Sequence, residues 1–141
     1  MAERIGARTP AQMFALAFGA VYALVGILGF FVAREVTGGS VDDKLILFPV
    51  NHLHNVVHLG IGTVWLLASR THGMAKSVNA AIGAVYLLVA LLGFTGIDLM
   101  HTLLNIHGSG DADNFLHIAS GALALYFGTA GASRRIEATA T

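Results

Sequence analysis

Residues 14–30 read FALAFGAVYALVGILGF, and residues 78–94 read VNAAIGAVYLLVALLGF. Laid over one another, the two stretches agree at ten of seventeen positions. Composition bias alone gives far fewer matches, so the chain reads as a duplicated unit. Around the first copy, residues 11–33 carry no charge over 23 positions. At about 1.5 Å per residue that length crosses a hydrocarbon core of roughly 30 Å with some tilt. Further apolar runs cover about 51–69, 77–97 and 113–132. The first run is too long for the core of a signal peptide and recurs mid-chain, so it reads as a retained helix.

These runs predict an all-α fold, a four-transmembrane-helix bundle built from two tandem two-helix repeats. Repeat one covers about 11–69 and repeat two about 77–132 of a single membrane domain spanning 1–141. A unit with an even number of spans enters the membrane twice in the same direction. The copies are therefore expected to be related by a parallel pseudo-two-fold along the membrane normal.

Composition agrees. Charged residues make up 11% of the 141 positions, against roughly 25% in an ordinary soluble domain. Mean hydropathy is +0.71. So few polar side chains cannot cover a globule in water, and lipid is the expected solvent for most of the surface. Zero net charge gives no field for nucleic acid. The absence of cysteine excludes disulfides, thiolate metal sites and thiol catalysis.

Charge placement predicts orientation. Arg4, Arg8, Arg70, Lys76, Arg134 and Arg135, six of the eight basic residues, fall on the side shared by both termini. That side is expected to be the cytoplasm, with tails 1–10 and 133–141 in it, as in a multi-pass protein of a bacterial plasma membrane. The first helix of each repeat carries a stripe at spacings of three and four: Gly19, Tyr22, Gly26 and Gly29, then Gly83, Tyr86, Ala90 and Gly93. One helical face holds each stripe, and close approach at small residues supplies the packing force that lipid does not. Because side chains lean toward their helix N-terminus, Tyr22 and His58 are expected to diverge.

The second helix of each repeat opens on a polar cluster. FPVNHLHNVVH places Asn51 as the cap, with His54, Asn55 and His58 beyond it. GSGDADNFLH places Asp111 as the cap, followed by Asp113, Asn114 and His117. Capping explains Asn51 and Asp111 but not the residues one to two turns further in, which should face the bundle interior. The first reading is structural: Asn51, Asn55, His58, Asn114 and His117 form a polar clasp that fixes helix register. A second is a divalent-metal site at His54, His58, Asp113 and His117, whose i,i+4 pairs suit tetrahedral Zn²⁺. In a variant of it, His58 and His117 hold a haem-like tetrapyrrole, with Gly60, Gly62 and Gly121 leaving room for the ring. A third is a small proton or solute conduit. The loop DLMHTLLNIHGSGDAD is expected to carry a short interfacial helix, and VDDKLILFPV offers a similar apolar segment.

RTPAQMFALAFGAVYALVGILGF followed by FPVNHLHNVVHLGIG resembles the domain of unknown function 4383 family of small four-helix bacterial membrane proteins. The likeness runs from about Arg8 to Gly131. Its most specific marks are the turn from Pro49 to Asn51 and an [HD]-N-x-x-H element at His54–His58 and Asp113–His117. The second element lacks the proline and asparagine that lead into the first. The resemblance implies an integral membrane protein with no assigned enzymatic activity and carries over no catalytic residue. The expected role is that of a non-enzymatic structural or accessory subunit. Its expected partners are the bilayer together with a homo-oligomer or a larger membrane complex.

Overall fold

A computed structural model describes residues 8–130. Among them are five helices and one minimal hairpin: α1 (Pro10–Gly29), β1 (Lys44–Leu45), β2 (Phe48–Pro49), α2 (His52–Ala68), α3 (His72–Thr95), α4 (Asp98–Leu104) and α5 (Ala112–Thr129). The protein is all-α, as the runs predict. The expected tails lie almost wholly outside the described residues. Two helices, α1 and α3, are long and apolar enough to cross a membrane.

Each helix begins for a legible reason. Thr9 caps α1 in a reciprocal box with Gln12, and Pro10 follows at a position where its missing N–H costs nothing. Asn51 caps α2, its side chain accepting from the His54 amide at 2.7 Å. Thr71 caps α3, so that helix starts at His72, ahead of the expected 77, and the connection to α2 is a tight turn. Lys76 consequently sits on the helix rather than in a loop. Asp111 holds the cap position of α5, but its carboxylate accepts from the His107 amide instead of the first turn of α5.

The long helices pack as two antiparallel pairs, α1 with α2 and α3 with α5. The Gly/Tyr stripes are the contact faces and are buried throughout. A methyl group built on Gly19 would lie 2.9 Å from the Gly62 carbonyl oxygen, and one on Gly83 the same distance from that of Gly121. Backbones at this separation exclude any side chain, which is why glycine stands there. Gly29 and Gly93 serve differently: the amide heads of Asn55 and Asn114, respectively, occupy the space a side chain would need.

The two pairs close on an aromatic layer. Trp65, fully buried, packs edge-on against Phe14, Phe18, Tyr22 and Tyr86. At one end, the connection between α1 and α2 forms the β1–β2 hairpin, pairing Lys44 with Pro49 and Leu45 with Phe48. The connection between α3 and α5 carries α4 at the same end. The expected helix in that second loop is present, while its counterpart is a hairpin.

The loops cross. Asn51 Nδ2 donates to Gly38 O and Leu103 O, and Asn105 Nδ2 donates to Ser40 O and Val50 O. Asn105 ends α4 with φ 57°, a left-handed cap that asparagine tolerates better than most residues.

Candidate functional site: a buried polar centre

Beneath the crossed loops, the first two turns of α2 and of α5 bring His54, Asn55, His58, Asp113, Asn114 and His117 into the interior, none more than 4% exposed. The reason is geometric. Each helix has already turned its glycine-compatible face to its partner, and these residues lie on that face or beside it.

His54 and His58, one turn apart, meet through their Nε2 atoms at 2.9 Å. One of these nitrogens must carry the proton and the other the lone pair, so the two rings share a single N–H at this contact. The ring of His117 lies over His54 at 6.3 Å between centroids. His58 stacks on Tyr22 at 5.1 Å, and His117 meets Tyr86 edge-on at 5.0 Å. The expected divergence of tyrosine and histidine is therefore wrong. The Cα–Cβ tilt sets where a side chain starts, but a tyrosine ring reaches far enough beyond it to meet the histidine from below. Tyr22 also donates from its hydroxyl to Ser120 Oγ on α5 at 2.7 Å, tying the first pair of helices to the second.

The clasp residues divide by partner. Asn51 makes the cross-loop bonds described above. Asn114 Nδ2 donates to Gly108 O at 2.7 Å, whereas neither polar atom of Asn55 has a hydrogen-bond partner. Asp113 Oδ2, His58 Nδ1 and His117 Nδ1 are likewise buried without partners. Groups left so are rare in folded proteins and mark places where something further is accommodated or strain is held.

The metal reading meets a definite obstacle. Among the described residues no three His, Asp or Glu side chains are disposed to hold one ion, so His54, His58, Asp113 and His117 do not form a ready-made tetrahedral set. The fold brings them to one region of the molecule without converging their lone pairs on one point.

The tetrapyrrole reading lacks room. Gly62 and Gly121 are filled by helices α1 and α3 respectively, and a methyl group on Gly60 would meet nothing within 4 Å, so this glycine faces away from the interior. The cavity beside His58 has a volume of about 80 Å³, far below that of a macrocycle. The conduit reading meets the closely packed aromatic layer of Phe14, Phe18 and Trp65.

Sequence reasoning missed three residues that organise this region. Asn79 Nδ2 donates to Ala11 O at 3.1 Å and is fully buried. It is a polar departure in the alignment of residues 14–30 with 78–94, where Ala15 is its counterpart, and that mismatch was a readable sign. Asn105, following a short apolar helix, was another. Ser120 offered none, since a serine in an apolar helix bonds its own backbone as readily as a distant tyrosine.

No curated protein and no solved structure matches this chain. A family model described as "Domain of unknown function (DUF4383)" matches residues 12–130, which takes in every helix from the first turn of α1 to the end of α5. The [HD]-N-x-x-H elements that build the polar centre fall inside that match, and the chain belongs to the domain of unknown function 4383 family.

Proposed function

We propose that the chain is an integral protein of a bacterial plasma membrane, a four-span bundle of two tandem two-helix repeats. In this reading α2 and α5 span together with α1 and α3, and both termini lie in the cytoplasm. Its role is that of a non-enzymatic structural or accessory subunit, with the Asn/His centre near the outer face. The observation that carries the reading is an inverted surface. Leu24, Val64, Leu91 and Leu123, one on each long helix, are 45–62% exposed, while asparagines and histidines fill the interior. In water that arrangement leaves a large apolar area unsatisfied; in lipid it is the ordinary one. Helix α2, with 17 residues, is at the short end of what a bilayer accepts. Its polar first turn then lies at the interface, where water and head groups solvate it.

Two measurements test this. Washing native membranes with alkaline carbonate should leave the chain in the pellet, and mild detergent should release it in a particle larger than one 14.7 kDa chain. Release by carbonate would overturn the membrane assignment, and a strictly monomeric, partner-free particle would overturn the accessory role. For orientation, the cysteine-free chain allows single labels: Ser40→Cys should react in intact cells, and Gly73→Cys only after permeabilisation.

A further inference from the structure

The crossed loops carry another pair of histidines, outside the buried centre. His101 lies on α4 and His107 follows the left-handed cap at Asn105; their rings are 4.5 Å apart between centroids and tilted by 48°. Each ring has its proton placed by its neighbour. His101 Nε2 meets Gly39 O at 3.2 Å, and a carbonyl only accepts, so this nitrogen donates. His107 Nε2 meets Asn105 Oδ1 at 3.0 Å. The Asn105 amide is oriented by its Nδ2 donating to Ser40 O and Val50 O, so Oδ1 accepts and His107 Nε2 donates as well. In a neutral imidazole the other nitrogen then holds a lone pair. Both rings thus keep Nδ1 as a free acceptor. The interior histidines have theirs closed off, but His107 is exposed and His101 is half-buried with its Nδ1 open to solvent.

We infer that His101 and His107 form a two-imidazole site for a divalent transition-metal ion, Cu²⁺ first among them. A histidine that ligates a metal through one nitrogen normally donates from the other to a carbonyl or carboxylate, which fixes the tautomer and the ring. Both rings already do so, through Gly39 O and Asn105 Oδ1. Two imidazoles in adjacent positions on one ion, with nitrogens about 2 Å from it, have centroids roughly 4.5 Å apart. That is the separation found here. Adjacent positions at a right angle belong to the square-planar and tetragonal shells of Cu²⁺ and Ni²⁺, whereas tetrahedral Zn²⁺ spreads its ligands wider. Of these ions Cu²⁺ binds such nitrogens most tightly. Alkaline-earth ions take oxygen shells and are not suited to a pair of nitrogens. Among the described residues no third His, Asp or Glu joins the pair, so water completes the shell. The site stands on the loops alone, independently of the membrane reading and of any partner.

The full chain, without an affinity tag and in mild detergent, is titrated with cupric chloride and read by electron spin-echo modulation, which counts the imidazoles on Cu²⁺. One ion per chain, held by two imidazoles, is expected. His101→Gln and His107→Gln each keep an N–H for Gly39 O or Asn105 Oδ1, so the loops retain their bonds. Either variant should leave one imidazole on the ion and raise half-saturation by about tenfold or more. His72→Gln, beside Thr9 at the other end of the bundle, should change neither readout. Zinc chloride should half-saturate at a higher concentration than cupric chloride. The imidazole count of the wild type decides the matter even where a variant folds poorly. No saturable binding, fewer than two imidazoles on the wild-type ion, a spectrum unchanged in both loop variants, an imidazole lost in His72→Gln, or tighter binding of zinc would overturn the site.

Discussion

In the α1–α2 pair Gly19 lies against Gly62 and Asn55 fills the place opposite Gly29; in the α3–α5 pair Gly83 lies against Gly121 and Asn114 fills the place opposite Gly93. These contacts are the same although 26 positions separate Gly29 from Asn55 and 21 separate Gly93 from Asn114. The difference in loop length is absorbed above the helices, where one connection is a hairpin and the other a short helix. The comparison teaches that backbone approach fixes how each pair packs, while the polar residues above it are free to diverge. His54 and Asp113 are the sharpest divergence. The one meets its neighbour His58 through Nε2, and the other makes no contact of that kind.

The largest expected effect comes from the closest backbones. A methyl group on Gly62 would lie 2.5 Å from Ala23 N, but on Gly121 it meets Leu87 side-chain carbons and the Gly83 carbonyl at 3.0 Å. Gly62→Ala should therefore cost about 3 kcal/mol and Gly121→Ala about 1 kcal/mol, measured by unfolding in mixed detergent micelles. Equal costs would break the idea that the Gly62 contact is closer than the Gly121 contact. His58→Ala is next: it removes the His54 contact and leaves a buried nitrogen, for a loss of about 2 kcal/mol. His117→Ala removes ring packing on Tyr86 and His54 and should cost less. An unchanged thermal midpoint for both variants in metal-free protein would sink the clasp altogether.

Smaller effects separate the asparagines and tyrosines. Asn114→Ala abandons the Gly108 carbonyl and should cost about 1 kcal/mol more than Asn55→Ala, whose amide has no partner to lose. Tyr22→Phe removes the bond to Ser120 and should cost at most about 1 kcal/mol, the usual range for a bond between helices in lipid. Tyr86→Phe, deleting a hydroxyl without a partner, should be neutral or slightly stabilising in the same titration. A larger loss at Tyr86 than at Tyr22 would reverse the assignment of which tyrosine joins the halves.

Much of this was legible in the chain. The glycine and tyrosine spacings gave the buried faces, because a period near 3.6 is a local property of the helix. The cap at Asn51 followed from the proline turn before it. What local patterns do not contain is the meeting of distant side chains. Tyr22 finds Ser120 across 98 positions, and no spacing rule relates them. The four residues of the metal reading do not converge here for a related reason: i,i+4 pairs place ligands on one face of each helix, but the convergence of two helices is a tertiary outcome. Asp111 failed as a side-chain cap because the His107 amide, brought near by the bend at Gly108, competes for the same carboxylate.

The crossed asparagines carry an implication for the order of assembly. Asn51 emerges from the ribosome well before the carbonyl of Leu103 that it will hold, 52 positions later. Its cap on α2 can form at once, but the lid above the histidines waits for the second half of the polypeptide. During synthesis the histidine cluster thus stays unroofed until translation is nearly complete.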